Sequence, residues 1–160
     1  MLSKNKERYL LQTYFHTRSN KNIPSHLPQF GAPDGDTTDE ELFFITKYVT
    51  AIDKVFLRNS FVTEEGLQLL KKLQKVNYLD LRGMPLHDGN LDCILHFESL
   101  EYLDVQYTRL SPQGIGQVLN TFRGLRTLLA QVGPEDASLP GVWEAAFPHC
   151  DLMVGITGSS

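Results

Sequence analysis

The sequence predicts an α/β fold, a short solenoid with a curved, mainly parallel sheet of about five strands and short helices on its convex side. One observation is a phrase of aliphatic residues that occurs twice in the same spacing, first as Val76, Leu79 and Leu81 and then as Leu100, Leu103 and Val105. A second is that these residues alternate with polar ones, as in a half-buried strand, whereas the intervening stretch has helical spacing. Because no such unit buries its apolar face alone, stacked copies must share one core.

The same register continues on both sides of these two copies. The offset between the two copies, counted back from Val76, leads to Ile52, Val55 and Leu57. The same offset plus one residue, counted forward from Leu100, leads to Leu125, Leu128 and Ala130. The intervening helical positions keep the offset too, at Leu67, Leu91 and Ile115. A period of this length lies in the range of about 20–29 residues that marks one class of repeat architecture.

Two short motifs carry a family resemblance. Phe61–Leu67, FVTEEGL, resembles the ITDEGL turn of ribonuclease-inhibitor-like leucine-rich repeats, and Pro148–Leu152 resembles their closing P-x-C-x-I. The resemblance spans residues 48–156 and implies a binding scaffold. The asparagine of a typical repeat is present at Asn59, but the corresponding positions carry Gly83, Tyr107 and Val132. We therefore expect a weak asparagine ladder, with other groups pairing the backbone of these turns.

The composition of the chain argues against several classes of function. The chain has 160 residues and a formal net charge of −4, which argues against nucleic-acid binding through the bulk surface. It contains no apolar run near the ~18 residues of a membrane-spanning helix, and its beginning lacks the apolar core of a secretory signal. Cys93 and Cys150 fall on repeat positions rather than in a disulfide pattern, so we expect an intracellular, reducing compartment.

The N-terminal segment differs from the rest. Residues 1–22 hold five basic residues and one acid, interspersed with aromatic and aliphatic side chains. Three interpretations remain open: a short amphipathic helix that caps the repeats, a mitochondrial targeting segment, or a disordered arm that binds a partner. We divide the chain into this basic arm with the following Pro/Gly-rich loop (1–38), a repeat domain (39–156) and a tail (157–160).

The elements that flank the repeats can also be predicted. Residues 23–38, punctuated by Pro and Gly, read as a loop. Thr37-x-x-Glu40 and Thr38-x-x-Glu41 are capping boxes that favour a helix over 39–48, with its apolar face formed by Leu42, Phe43, Ile45 and Val49. At the far end, residues 139–147 predict a helix with Trp143 inward and residues 150–154 a strand. Residues 155–160 form a tail that we expect to fray.

One cluster combines residue types that ligate metals: His87, Asp88, Asp92, Cys93 and His96. A zinc site needs such ligands to converge in a closed set. Each of these residues, however, also matches an ordinary position of the repeat, which other residue types occupy in the other copies. The chain contains no nucleophile elbow, phosphate loop or dinucleotide fingerprint. We therefore predict no catalytic residues, no metal and no cofactor, with a metal protein or enzyme built on the His87–His96 cluster as the alternative from another class.

The strand residues that point away from the core form the predicted recognition face. Since side chains alternate along a strand and neighbouring strands lie ~4.8 Å apart, they align in columns on the concave face. The columns are Lys54, Tyr78, Tyr102 and Thr127; Phe56, Asp80, Asp104 and Leu129; and Arg58, Arg82, Gln106 and Gln131. Tyr and Arg are enriched at interface hot spots. The competing interpretation is that the two aspartates pair with the two arginines and the tyrosines merely cover the sheet.

These observations predict a non-catalytic scaffold that binds a protein partner through the concave face, assisted by the N-terminal arm. In outline, the small size, basic arm, four repeats and Pro-x-Cys ending are similar to leucine-rich-repeat assembly factors and accessory subunits of mitochondrial inner-membrane complexes. That resemblance implies a mitochondrial location and a partner within a larger membrane-associated complex, with no transmembrane segment in this chain.

Overall fold

The computed structural model describes residues 2–158 and contains one six-stranded sheet in which every neighbouring pair is parallel. The strands lie in chain order: β1 (His26–Gly31), β2 (Ala51–Phe56), β3 (Lys75–Asp80), β4 (Tyr102–Asp104), β5 (Thr127–Val132) and β6 (Asp151–Ile156). The α-helices are α1 (Lys4–Phe15), α2 (Asp39–Tyr48), α3 (Glu64–Leu67), α4 (Pro112–Thr121) and α5 (Leu139–Ala146). Short 3-10 segments cover Gln68–Lys72, Asp88–Cys93 and Pro134–Asp136.

The register of the sheet follows the offset seen in the sequence. Leu79 pairs with Leu103 in β4, which pairs in turn with Leu128 in β5, so the inward aliphatic residues lie side by side. These three residues are 0% exposed. The α/β class and the parallel sheet are confirmed, and helices cover the face to which these residues point. The sequence predicts about five strands, and the described residues form six.

The additional strand is β1, in the stretch predicted as a loop. Residues 26–31 pair with β2, which places Leu27 beside Ile52 and Phe30 beside Val55. Phe30 is 2% exposed and belongs to the core. The loop prediction for residues 23–38 is therefore wrong over this strand, since a partner strand and one buried ring outweigh the local turn signals.

The helix α2 spans the predicted residues, and its start is fixed by the capping box of Thr38 and Glu41. The Glu41 N–H donates to Thr38 Oγ1 (3.4 Å), and the Glu41 carboxylate accepts the Thr38 N–H (2.9 Å). The prediction that Phe43 faces the core is wrong. Phe44 is 0% exposed, whereas Phe43 is 36% exposed.

The N-terminal segment forms the helix α1, which packs on the first end of the sheet. Leu10 and Leu11 are buried, and the Tyr14 ring lies 5.5 Å from the Phe30 ring of β1. The Glu7 carboxylate accepts hydrogen bonds from Lys47 Nζ (2.9 Å) and Tyr48 Oη (2.6 Å) of α2. These two donors lower the pKa of Glu7. The capping interpretation thus describes the fold of this segment.

At the opposite end, α5 buries Trp143 beneath β6. The strand extends two residues further than predicted, because Gly155 and Ile156 continue the pairing with Gln131 and Val132. The prediction that residues 155–160 fray is therefore wrong for these two. A turn follows at Thr157 and Gly158, and the final two residues of the predicted tail lie outside the described part of the chain.

Acidic residues at helix starts connect each unit to the next. The Thr63 N–H donates to Asp39 Oδ1 (2.8 Å), and the Ser111 N–H donates to Asp88 Oδ1 (2.9 Å). At the start of α3, which lies between these two helix starts in the chain, the acidic residue is Glu64, and its carboxylate lies 3.4 Å from His87 Nε2. Thr63, His87 and Ser111 are themselves the N-cap residues of the following helical segments. These bonds supply part of the inter-unit pairing that the asparagine ladder was predicted to lack.

The turns after β1, β2, β3 and β4 each contain a residue with positive φ, despite different residue types. Asp34, Asn59, Gly83 and Tyr107 all adopt positive φ, at 54°, 51°, 73° and 56°. These positions follow one another at the offset of the repeat, with one extra residue between Asp34 and Asn59. The Asn59 Nδ2 donates to Asp34 Oδ1 (2.7 Å), and the Tyr107 N–H donates to Gln131 Oε1 (2.8 Å). Asparagine and aspartate tolerate this region better than other side chains, and glycine occupies it freely.

Candidate functional site

The predicted concave face is the sheet face opposite the helices, and we call it the open face. The register aligns the first predicted column as Lys54, Tyr78, Tyr102 and Thr127, and the second as Phe56, Asp80, Asp104 and Leu129. In the third column, Arg58, Arg82 and Gln106 lie in the turns that follow their strands, whereas Gln131 lies within β5. The structure therefore brings all of the predicted columns together on one face, but the side chains in them differ sharply in exposure.

Aromatic side chains form a connected strip across the middle strands. The Tyr78 and Tyr102 rings stack with centroids 3.9 Å apart and an interplanar angle of 4°. Phe56 extends the strip, with its ring 5.2 Å from that of Tyr78, and Lys54 Nζ lies 5.9 Å from the same ring. Parallel stacking fixes the orientation of both tyrosines, so a partner would meet a rigid surface rather than two mobile side chains.

The two aspartates of the second column are buried, at 1% exposure for Asp80 and 0% for Asp104. Each carboxylate accepts a backbone N–H two residues ahead: Asp80 from Arg82 (3.2 Å) and Asp104 from Gln106 (2.9 Å). They are therefore supports beneath the open face, and their predicted role as contact residues is wrong. Strand alternation gives the face correctly but does not reveal what covers a side chain.

Arg58 supplies the charge that these carboxylates require. Its Nε donates to Asp80 Oδ2 (2.9 Å), and its Nη2 lies 3.6 Å from Asp104 Oδ2. The Arg58 side chain is 27% exposed, so one guanidinium spans two strands and still reaches the surface. The interpretation that the aspartates pair with arginine thus holds for Arg58, but the Arg82 guanidinium instead lies 4.7 Å from the Tyr107 ring.

Of the two buried carboxylates, that of Asp104 has the less complete set of hydrogen bonds. Among the described residues, its Oδ2 is the buried side-chain oxygen without a hydrogen-bond partner. Burial raises the pKa of Asp104, and the backbone N–H of Gln106 opposes that change. The Tyr102 hydroxyl, in the neighbouring column, also has a raised pKa, chiefly because burial against its neighbours desolvates it. The tyrosine therefore remains a neutral donor across the physiological pH range.

Sequence reasoning missed Tyr107 as a surface residue. It is 61% exposed and carries the Arg82 guanidinium over its ring. The sequence pattern marks its position only as a departure from asparagine. The signal that could have identified it is the repeat register itself, because Tyr107 follows its strand as Asp34, Asn59 and Gly83 follow theirs, and all four are exposed at positive φ.

Each residue of the His87–His96 cluster either bonds to a partner of its own or is buried. His87 Nδ1 accepts the Gly89 N–H (3.0 Å), and His96 Nε2 lies 2.8 Å from the Leu73 carbonyl oxygen. Asp88 binds Ser111, and Asp92 pairs with Lys71. Cys93 is 0% exposed, and burial raises the pKa of its thiol to about 12. Within the described part of the chain, no group of three or more His, Cys, Asp or Glu side chains is placed to hold a metal ion.

Two further findings bear on function. Within residues 2–158, no helix combines the length and the apolar character needed to cross a membrane. Comparison of the chain with protein-family models finds no match, and neither does a search of curated proteins.

Proposed function

We propose that the chain is a leucine-rich-repeat-type solenoid that acts as a non-catalytic scaffold and binds a protein partner through the open face. The aromatic strip of Phe56, Tyr78 and Tyr102 is the single observation that carries this proposal. Three aromatic rings on adjacent strands, flanked by cations, form the kind of patch that dominates binding energy at interfaces. The nearly constant offset between paired strands supports the repeat assignment.

The buried ion group explains how the strip is held. Arg58 clamps Asp80 and Asp104 directly beside the tyrosines on the same face, and the parallel strands fix the ring spacing. A surface fixed before binding loses little conformational entropy when a partner docks. The partner we expect is a protein that presents apolar or aromatic side chains to the rings and carboxylates to the surrounding cations.

The N-terminal helix contributes a second, basic surface. Lys4, Arg8 and Arg18 are exposed on and just after α1, whereas the apolar side of the helix is buried against the fold. In this proposal α1 serves first as the cap of the sheet, and its outer cations assist recognition by attracting an acidic partner.

The test is affinity capture from native cells, comparing the wild type with the double variant Tyr78→Ala/Tyr102→Ala. We expect the wild type to recover a stoichiometric protein complex that the double variant loses. The matched control is Phe61→Ala, which removes a 70% exposed ring outside the aromatic strip and should leave capture intact. Thermal melting accompanies each variant. Capture that survives the double substitution in folded protein contradicts the proposal, and unfolding of the double variant shows that the tyrosines are structural.

A further inference from the structure

The two edges of the sheet are built differently. At the first edge, β1 carries Pro28, and the Ala51 N–H bonds to the Ser25 carbonyl. Alternation from that bond places Pro28 where its backbone faces away from β2, so the outer edge lacks a donor there. Helix α1 also packs at this end, with Tyr14 against Phe30. Proline and a covering helix are the usual means of protecting a sheet edge from further pairing.

In the described part of the chain, the last edge of the sheet has neither a proline nor a covering helix. Within residues 2–158, no strand pairs with the outer side of β6 at Leu152 and Val154, and the strand sequence, DLMVGI, contains no proline, no lysine and one acid at its start. The Asp151 N–H donates to the Arg126 carbonyl (2.7 Å) and the Thr157 N–H to the Val132 carbonyl (2.9 Å). Odd-numbered residues therefore bond to β5, and the N–H and C=O groups of Leu152 and Val154 point outward.

The side chains at this end are apolar as well. Leu152 and Val154 occupy the core-facing positions of β6, yet both are only half-buried, whereas their neighbours Leu128 and Ala130 in β5 are 0% exposed. On the opposite face, Met153 is 51% exposed. Within the described residues, the core beside β6, where α5 buries Trp143, is thus less completely covered than the core at the other end of the sheet, where α1 and α2 pack.

We infer that β6 pairs with β6 of a second copy of this chain, in antiparallel orientation about a twofold axis at Met153. In this register Leu152 of each copy faces Val154 of the other, and their outward backbone groups form four hydrogen bonds. A twofold axis perpendicular to the sheet keeps each face on its own side, so the two half-buried cores become continuous.

The strand is complementary to itself in charge and in size. Asp151 meets Gly155 of the second copy, so a small residue faces the single charged one. The two Asp151 carboxylates stand four positions apart, about 13 Å along the strand, which exceeds the ~8 Å Debye length at physiological salt. No like charges face each other, and Met153 packs against Met153 of the second copy. This self-complementarity is the reason to assign the edge to a second copy rather than to an unrelated strand.

The test is the oligomeric state of the full chain, measured by sedimentation velocity across a range of concentrations. We expect the wild type to shift from 18.1 kDa towards twice that mass as concentration rises. Met153→Lys places two cations opposite each other and should raise the dimer dissociation constant about 100-fold, since juxtaposed like charges cost several kcal/mol. Gln29→Lys adds the same charge on the same face at the protected edge and should leave the dissociation constant unchanged.

Disulfide trapping tests the register. Residue 153 faces itself in a pair without backbone hydrogen bonds, where Cα atoms lie ~4.5 Å apart and a disulfide fits. Met153→Cys should form a covalent dimer under mild oxidation, whereas Gln29→Cys and the wild type, whose two cysteines are buried, should not. A wild type that stays monomeric throughout overturns the inference and leaves the edge to a different protein. A dimer that tolerates Met153→Lys places the interface elsewhere and also overturns it.

Discussion

Replacement of Arg58 by methionine should expose the cost of the buried carboxylates beneath the open face. The substitution keeps an apolar stem but removes the cation that pairs with Asp80 and Asp104, which are 1% and 0% exposed. Removing one partner of a buried ion pair costs about 3–5 kcal/mol. Since the Arg58 side chain is 27% exposed, we expect the lower end of that range, about 3 kcal/mol at pH 7.

The loss should depend on pH, and its sign follows from linkage. Burial already raises the pKa of Asp104 in the folded state, and removal of Arg58 would raise it further. A folded state that binds protons more tightly than the unfolded chain loses stability as pH rises through the interval between the two pKa values. The destabilisation by Arg58→Met should therefore be full at pH 7 and shrink to about 1 kcal/mol near pH 4.

The measurement is urea unfolding of the wild type and Arg58→Met at several pH values between 4 and 7. Lys54→Met is the matched control, because it removes an exposed cation from the same face and should change the free energy of unfolding by less than ~0.5 kcal/mol. Asp104→Asn, added to Arg58→Met, should restore part of the lost stability at pH 7. A loss below ~1 kcal/mol at pH 7, or one that is equal at pH 4, would refute the reasoning.

Two further substitutions test the packing with internal controls, each by urea unfolding. In α4, a Cβ at Gly114 would lie within 3.0 Å of Asp88 Oδ1, whereas a Cβ at Gly116 would meet nothing within 4 Å. Gly114→Ala should destabilise by about 1–3 kcal/mol and Gly116→Ala should stabilise by up to ~1 kcal/mol, and effects of the same sign would contradict this account. In α2, Phe44→Ala should cost about 3–5 kcal/mol and Phe43→Ala less than ~1 kcal/mol, because only the first ring is buried; equal losses would mean that the helix is oriented differently.

The repeat phrase was sufficient to predict the class of the fold and the register of its middle strands. Leu79, Leu103 and Leu128 lie side by side because a fixed offset in a parallel sheet becomes spatial adjacency. The first strand was missed because Pro28 and flanking turn residues dominate its local signal. Leu27 and Phe30 precede Ile52 and Val55 by one residue more than the offset between the middle strands, so that offset, applied once more, reaches Pro28 and Gly31 and conceals the strand.

The sequence predicts which residues share the open face but not which of them are buried. Alternation placed Tyr78 and Tyr102 on one face, and the structure stacks them. It could not show that Asp80 and Asp104 lie beneath that face, because their burial depends on the reach of Arg58 across two strands. Local pattern also could not choose between the adjacent rings Phe43 and Phe44, since a broad apolar helix face admits either.

Glycine usage follows a rule that depends on the preceding unit. Gly66 and Gly114 stand where an added Cβ would meet the carboxylates of Asp39 and Asp88. At the equivalent position between them, Asn90 carries a side chain, and there the preceding acid is the longer Glu64, which turns to His87 and Arg109. The choice of residue at one helix start is thus set by the acid at the start of the preceding unit, a correlation that only the folded structure makes visible.

The direction of these bonds has a consequence for synthesis. In each case the acceptor belongs to the earlier unit and the donors to the later one, as with Asp39 and Thr63 or Asp88 and Ser111. A chain made from its N-terminus therefore presents each acceptor before the segment that needs it emerges, and the cap formed by α1 and α2 is complete first. Loss of residues from the C-terminal side leaves the bond from Thr63 to Asp39 intact, whereas loss from the N-terminal side removes that acceptor. The molecule is accordingly suited to fold vectorially, one unit serving as the template for the next.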